Sequence, residues 1–192
     1  MSLGFYFDTE ECIGCRTCQV ACQDRNNLEV GIVFRGVGSF ESGNYPNAVI
    51  YHYSASCNHC ETPACVANCP TGAMQKDAGG EGTIQHDDEL CIGCETCVNT
   101  CPYKVPVLLA SGITGKCDAC KPFRDAGLNP VCVDACVMRC LDFGDTEDLR
   151  SKYSSDLVNA LPFLPSPDTT NPNTLIKPKQ AALATGYREV LI

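Results

Sequence analysis

Sixteen of the seventeen cysteines in this 192-residue chain fall into four sets of four, and each set contains a C-x2-C pair and ends in C-x3-C. The four sets are Cys12, Cys15, Cys18 and Cys22; Cys57, Cys60, Cys65 and Cys69; Cys91, Cys94, Cys97 and Cys101; and Cys117, Cys120, Cys132 and Cys136. Thiolates at such spacing are ligands of iron–sulfur clusters, and a 4Fe–4S cluster takes four of them. The sequence therefore predicts four 4Fe–4S clusters, and a small chain with four one-electron centres is predicted to conduct electrons.

Two other uses of paired cysteines fit this sequence less well. Cysteines two residues apart turn their sulfurs toward one point, as a metal requires, which leaves nested pairs poorly placed for separate disulfides. C-x2-C pairs also suit a zinc-binding interaction module. Pro70 and Pro102, however, follow the last cysteine of the second and third sets, and proline at this position is typical of ferredoxins. We therefore favour iron–sulfur ligation over disulfides and over zinc.

Charge and hydropathy argue against two classes of partner. The formal net charge of −9 makes nucleic acid and anionic lipid unfavourable partners. No apolar run approaches the roughly eighteen residues that cross a membrane, and the N-terminal stretch MSLGFYFDTEEC has no basic region, apolar core or twin arginine. We expect no direct membrane insertion and no export signal in the chain itself, which leaves export together with a partner open.

Internal repetition predicts the fold. The first and third cysteine sets lie in near copies of one motif, ECIGCRTCQVAC at 11–22 and LCIGCETCVNTC at 90–101, which indicates a duplicated unit. Between the second and third sets, a glycine-rich turn at 77–82 separates predicted strands at 73–75 and 83–85. This is the pattern of a bacterial two-cluster ferredoxin, in which the fourth cysteine of each set ligates the other cluster.

The first and fourth sets are predicted to form a second such unit, divided by insertion of the first and bounded by strands at 5–8 and 141–144. An inserted β-hairpin is expected from strands at 33–37 and 48–53 around a turn at 42–47. The predicted fold is α+β: two bacterial-ferredoxin-like units, one inserted in the other, with a β-hairpin insertion and an extended C-terminal arm.

The predicted segments follow in sequence order. They are the first half of the split unit (1–30), the hairpin (31–56), the complete unit (57–108), the second half of the split unit (109–145), and a short helix with the arm (146–192). The helix is expected at 146–153 with Thr146 as its N-cap. Five prolines after Leu157 exclude long regular structure. The apolar residues among them favour an arm that packs on a partner over a disordered tail.

Short segments in a fixed order are specific enough to indicate a family. They are SCNHCETPAC, CPTGAM, CIGCETC, CPYKVP, KCDAC, CLDFGD and, in the arm, IKPK. With the four cysteine sets, they make nearly the whole chain resemble the iron–sulfur subunits of molybdopterin oxidoreductases, in the dimethyl sulfoxide reductase branch. The resemblance implies a non-catalytic subunit that relays single electrons in an anaerobic reductase. Its partners would be a membrane quinol-oxidising anchor, or another donor, and a large catalytic subunit holding molybdopterin bis(guanine dinucleotide).

The alternative is a free-standing polyferredoxin that carries electrons among soluble enzymes. The sequence contains no dinucleotide glycine motif after a strand, no P-loop and no Ser–His–Asp pattern, so we name no catalytic residue. The resemblance also implies membrane association through the partners. The complex would lie either in the cytoplasm or outside it, exported with a catalytic subunit that bears a twin-arginine signal.

The resemblance further implies how the cysteines are shared among clusters. Cluster one would take Cys12, Cys15, Cys18 and Cys136; cluster two Cys22, Cys117, Cys120 and Cys132; cluster three Cys57, Cys60, Cys65 and Cys101; and cluster four Cys69, Cys91, Cys94 and Cys97. Cluster one would face the catalytic subunit and cluster four the anchor.

Individual residues beside the ligands carry further expectations. In the matched loops, Arg16 stands where the other copy has Glu95. Because positive charge favours the more negative reduced cluster, we expect cluster one to have the higher potential. His59 is expected to donate a hydrogen bond or to face solvent rather than to ligate iron. Cys140 is expected to be a buried apolar residue of the last strand.

Overall fold

A computed structural model describes residues 2–153 and 156–191 as short strands and helices joined by loops. The strands are β1 Leu3–Asp8, β2 Gly36–Ser42, β3 Val49–Ala55, β4 Met74–Lys76, β5 Ile84–His86, β6 Val107–Leu108, β7 Thr114–Gly115, β8 Leu141–Asp145, β9 Leu175–Lys177 and β10 Tyr187–Glu189. The α-helices are α1 Thr17–Arg25, α2 Ala64–Ala67, α3 Thr96–Thr100, α4 Lys121–Asp125, α5 Val131–Asp134 and α6 Thr146–Lys152. Short 3-10 turns occupy Pro167–Thr169 and Gln180–Leu183.

Strand β1 ties the N-terminal segment to the fourth cysteine set. It pairs antiparallel with β8, with Phe5 opposite Phe143, and the two rings meet edge to face at 4.8 Å between centroids. Helix α1, which carries Cys18 and Cys22 of the first set, packs against α5, which carries Cys132 of the fourth set. The predicted outer strands at 5–8 and 141–144 are both present, each longer by one or two residues.

The second and third cysteine sets are joined in the same way on a smaller scale. Strand β4 pairs antiparallel with β5, with Gln75 opposite Gln85, and α2 packs against α3. Buried Met74 and Ile84 form a small core with Cys65 and Cys97. The predicted strands and glycine-rich turn are confirmed, with each strand displaced by one residue.

The inserted hairpin is present, but the position predicted for its first strand was wrong. Strand β2 begins at Gly36, rather than at 33, and pairs with β3 along its whole length to Ser42 opposite Val49. Gly36, which lies within the predicted strand at 33–37, and Gly38, which lies beyond it, both have low strand propensity. Their pairing with β3, together with Phe40 stacked 5.6 Å from Tyr51, overrides that preference.

Helix α6 starts as expected, but its N-cap is Asp145 rather than Thr146. The Asp145 carboxylate accepts hydrogen bonds from the backbone N–H groups of Glu147 at 3.0 Å and Asp148 at 3.4 Å. Carboxylates are at least as good N-caps as hydroxyls and also interact favourably with the helix dipole. An aspartate that ends a strand directly before a helix therefore caps that helix.

The C-terminal arm packs on the rest of its own subunit. Strand β9 runs parallel to β1 with Leu175 and Ile176 buried, and β10 extends the hairpin sheet by pairing with β2. Phe163 stacks on Phe40 with 4.2 Å between ring centroids. The expected apolar contacts are thus made within this subunit, and contact between the arm and a partner stays a prediction. Within the described residues, no helix is long and apolar enough to cross a membrane.

The arm contributes to the stability of the whole protein if β9 is a core strand. Ile176→Ala removes a fully buried side chain, which costs about 2–5 kcal/mol. We expect a fall on the order of 10 °C in the midpoint of thermal unfolding measured without air by far-UV circular dichroism. Leu183→Ala, at a side chain that is 41% exposed, is the matched control and should change the midpoint little. Equal midpoints for the two variants would show that the arm adds nothing to the core.

Candidate iron–sulfur sites

Two cavities are lined by cysteines from different sets. One is lined by Cys12, Cys15 and Cys18 of the first set and by Cys136 of the fourth. The other is lined by Cys91, Cys94 and Cys97 of the third set and by Cys69 of the second. Each cavity thus collects three thiols from one loop and a fourth from a distant motif.

The other eight cysteines, all buried except Cys60, influence one another electrostatically. Burial raises the pKa of the Cys60 thiol to about 11, and neighbouring Cys57 and Cys101 raise it too. Burial, Cys57, Cys101 and Cys60 together raise the pKa of Cys65 to about 12. These four thiols therefore lie close enough to repel one another if ionised.

Around Cys22 the same crowding recurs. Burial raises the pKa of its thiol to about 12, and Cys132 and Cys120 add to the increase. Burial is also the main reason that the pKa of Cys117 is well above its ordinary value, with contributions from Cys57, Cys22 and Cys132. Cys22, Cys120 and Cys132 thus lie near one another, and Cys117 lies near both this Cys22 group and Cys57.

The donor set fits iron–sulfur clusters. Crowded, buried thiols become ligating thiolates only if a bound cation offsets their charge. Hydrogen bonds already point at several of the sulfurs: Sγ of Cys136 accepts one from the Cys140 backbone N–H at 3.2 Å, and Sγ of Cys60 accepts one from the Thr170 hydroxyl at 3.2 Å. Within residues 2–153 and 156–191, no three His, Cys, Asp or Glu side chains converge as ligands of a single ion do. Thiols that instead line a cavity suit a multi-iron cluster.

Left-handed backbone shapes the two repeated loops in the same way. Gly14 and Gly93 have φ of 71° and 66°, and Arg16 and Glu95 have φ of 61° and 55°. A Cβ on Gly93 would lie 2.0 Å from the carbonyl oxygen of Gly112. Glycine is therefore required there both for the dihedral angle and for the close approach of backbone.

Opposite charges occupy equivalent positions in the two loops. Arg16 lines the cavity at Cys12, and Glu95 lines the cavity at Cys91. Both therefore adjoin the cavities rather than point into distant solvent. The order of potentials expected from them stays a prediction.

His59 is buried and donates toward sulfur. The backbone N–H of Ile84 donates to its Nδ1 at 2.9 Å, which leaves the ring proton on Nε2, 4.0 Å from Sγ of Cys117. Burial first, and then the charges of Lys116 and Arg124, lower the pKa of His59 well below its ordinary value. The ring is therefore neutral, in keeping with the prediction of a donor; the alternative of a solvent-facing side chain was wrong.

Cys140 is buried as expected, but it lies beside predicted ligands. It is 1% exposed, precedes β8 and lines the same cavity as Cys12 and Cys136. A hydrogen bond from the Cys140 thiol lowers the pKa of Cys12 to about 7. The sequence pattern missed this placement, because Cys140 follows no ligand spacing.

Sequence reasoning also missed Arg35. It lies just before β2 and is 1% exposed, close to Cys18, Cys22, Cys117 and Cys132. No motif surrounds it, and an isolated charge in a predicted strand carries no signal of a buried position.

Groups of free thiols drawn from different cysteine sets, on two similar strand-and-helix arrangements, define a protein that holds several iron–sulfur clusters. The 4Fe–4S dicluster domain family matches residues 48–146, and a 4Fe–4S binding domain matches residues 9–27. The B subunit of the anaerobic dimethyl sulfoxide reductase of Haemophilus influenzae is 41% identical over 193 residues, covering 95% of the present sequence and 92% of that protein.

Two further relatives agree. The B subunit of the Escherichia coli anaerobic dimethyl sulfoxide reductase is 39% identical over 192 residues, with 95% and 92% coverage. The arsenate respiratory reductase iron–sulfur subunit of a Shewanella species is 32% identical over 203 residues, with 80% and 86% coverage. This protein belongs to the 4Fe–4S family of reductase iron–sulfur subunits, in the branch of the dimethyl sulfoxide reductase B subunits.

The protein is a non-catalytic electron-transfer subunit of an oxidoreductase complex and carries four 4Fe–4S clusters. The predictions of cluster type and electron transfer are confirmed. The same relatives favour a subunit of a complex over the free-standing polyferredoxin.

The two repeated glycines allow a matched test of the loop geometry. Gly93→Ala and Gly14→Ala carry the same positive φ penalty, but their contacts differ. The added Cβ would meet backbone at Gly93 and the movable ring of His52, at 2.6 Å, at Gly14. We expect Gly93→Ala to lose the iron of one cluster in protein purified without air, and Gly14→Ala to keep it. Equal iron and sulfide contents in the two variants would contradict this reading.

Proposed function

We propose that this subunit relays single electrons between a quinol-oxidising membrane anchor, or another donor, and a large catalytic subunit that holds molybdopterin bis(guanine dinucleotide). The proposal is carried by the arrangement of the thiol groups. The two cavities that contain an exposed cysteine, Cys15 in one and Cys94 in the other, suit electron entry and exit. The two groups without an exposed cysteine suit inner stepping stones.

Contacts between groups support one order of transfer. Cys18 of the first cavity lies within electrostatic reach of Cys132 in the Cys22 group. Cys117 of that group lies similarly near Cys57, and Cys65 shares a small core with Cys97 of the other cavity. This continuity favours the sequence one, two, three, four, with an open cavity at each end.

The ligand sets of the proposal are those that the family resemblance implies. Cluster one is assigned to Cys12, Cys15, Cys18 and Cys136, cluster two to Cys22, Cys117, Cys120 and Cys132, cluster three to Cys57, Cys60, Cys65 and Cys101, and cluster four to Cys69, Cys91, Cys94 and Cys97. Each cluster, when bound, takes up and releases one electron. The protein contributes thiolate ligands, hydrogen bonds to sulfur and exclusion of water.

We propose the following boundaries for the segments of the chain. The split ferredoxin-like unit comprises 1–30 and 109–145, the hairpin 31–56, the complete unit 57–108, and the helix with the arm 146–192.

Cluster one is proposed to face the catalytic subunit and cluster four the anchor. The complex is membrane-associated through these partners, either in the cytoplasm or exported with a catalytic subunit that bears a twin-arginine signal.

The two cysteines beside the Cys12 cavity test the ligand assignment. Cys136→Ala removes a proposed ligand and should release between one iron and the whole of cluster one. Cys140→Ala, at a sulfur in the same cavity, should keep every iron. Iron and sulfide analysis with electron paramagnetic resonance of the reduced proteins measures both outcomes. If Cys140→Ala lost iron and Cys136→Ala did not, Cys140 rather than Cys136 would be the ligand.

Isolation of the native complex tests the partner. An affinity tag on this subunit, expressed without air in its own host, should recover a large molybdenum-containing subunit in equimolar amount and about four iron atoms per cluster in the tagged protein. Recovery of a fully loaded monomer with no molybdenum-containing partner would instead support the free-standing polyferredoxin.

A further inference from the structure

Arg35 is enclosed by the protein and only partly hydrogen-bonded. It is 1% exposed, and its Nη1 donates to the carbonyl oxygen and to the hydroxyl of Ser54, both at 3.1 Å. The guanidinium lies 4.5 Å from the centre of the Phe5 ring. Its Nη2 is buried without a hydrogen-bond partner among the described residues.

The surroundings of this cation are sulfur rather than carboxylate. The Ser54 hydroxyl that it contacts lies 3.5 Å from Sγ of Cys18. Burial disfavours the charged form, but Cys132, Cys117 and other nearby cysteines outweigh it and raise the pKa of Arg35 above its ordinary value. The guanidinium thus stands between the proposed ligands of clusters one and two.

Two other arginines beside the buried cysteines are paired with carboxylates. Arg25 makes a two-pronged ion pair with Asp118 at 2.8 Å, and Arg124 pairs with Glu81 at 2.9 Å. No carboxylate within the described ranges makes an ion pair with Arg35 under 4 Å. A buried charge without a counter-charge is costly, and an apolar side chain would stabilise the fold better. Arg35 therefore needs its counter-charge from the thiolate-bound clusters.

We propose that Arg35 sets the reduction potential of cluster two, an inner step of the relay, with Nη2 donating a hydrogen bond to a sulfur at that site. This proposal rests on the ligand sets proposed above. A cluster bound at this site would gain one negative charge when it accepts one electron from the neighbouring cluster, which is oxidised by one electron in the same step. The guanidinium stays protonated in both states, so no proton moves and the bond to sulfur strengthens in the reduced state. Arg35 is a positioning residue rather than a ligand.

Redox titration followed by electron paramagnetic resonance tests the proposal. In Arg35→Gln, the equilibrium constant for reduction of cluster two should fall at least tenfold, which is about 59 mV for one electron. The shift should be independent of pH. Arg35→Lys keeps the charge and loses the planar fork, so its shift should be smaller and in the same direction. Arg188→Gln, at an arginine that is 72% exposed and paired with Glu41, is the control and should shift nothing.

The outcomes separate this proposal from the function on which it rests. Iron and sulfide analysis counts the clusters independently of their potentials, so fewer than four clusters in the unaltered protein would defeat the ligand sets themselves. Four clusters with unchanged potentials in Arg35→Gln would overturn the role of Arg35 alone.

If the Arg35→Gln protein does not bind its clusters, a spectroscopic measurement on protein that keeps Arg35 tests the proposed hydrogen bond to sulfur. Protein with only Arg25→Lys altered, which removes the guanidinium at Asp118, is grown with arginine labelled with ¹⁵N in the guanidino group. Pulsed electron paramagnetic resonance of the reduced protein should show a nitrogen coupling that changes with the isotope. A spectrum that the label leaves unchanged would refute the hydrogen bond.

Discussion

The structure depends on bringing many sulfur atoms into a small buried volume. Cysteines occupy positions that a domain of this size normally gives to large apolar side chains, and the sequence has no tryptophan. Thiols such as Cys22 and Cys117 repel one another when ionised, so the interior is stable only when bound iron offsets their charge. Folding and cluster binding are therefore two aspects of one process.

Two arrangements of paired strands and packed helices, one larger than the other, bring distant cysteine sets together. In the proposed split unit, β1 and β8 bring the N-terminal segment beside the fourth cysteine set, while α1 packs on α5. In the proposed complete unit, β4 pairs with β5 and α2 packs on α3. His59 connects the units, since it lies between two cysteines of the second set and directs Nε2 at Sγ of Cys117. The contact between His59 and Cys117 that joins the two units therefore also lies between the proposed sites of clusters two and three.

Much of this arrangement could be predicted, because metal ligation demands fixed spacing. The cysteine sets, the β4–β5 hairpin and the outer strands follow from local patterns that the structure retains. The N-cap at Asp145 could not be predicted, because Thr146, one position away, is also a good capping residue. The start of β2 at Gly36, three positions after the predicted start, could not be predicted either, because pairing with β3 decides it. Arg35 and Cys140 were beyond prediction for another reason: their significance comes from neighbours distant in sequence.

The arm also has a consequence for biosynthesis. Its Thr170 hydroxyl donates to Sγ of Cys60, and Asn173 donates to the carbonyl oxygen of His59 at 2.7 Å, so the final segment covers the second cysteine motif. A nascent polypeptide lacks that covering until Thr170, which lies 110 positions after Cys60, has been synthesised. Before the arm docks, Cys60 therefore lacks both this covering and the hydrogen bond from Thr170, so the surroundings of the second motif are completed only by a segment far along the chain.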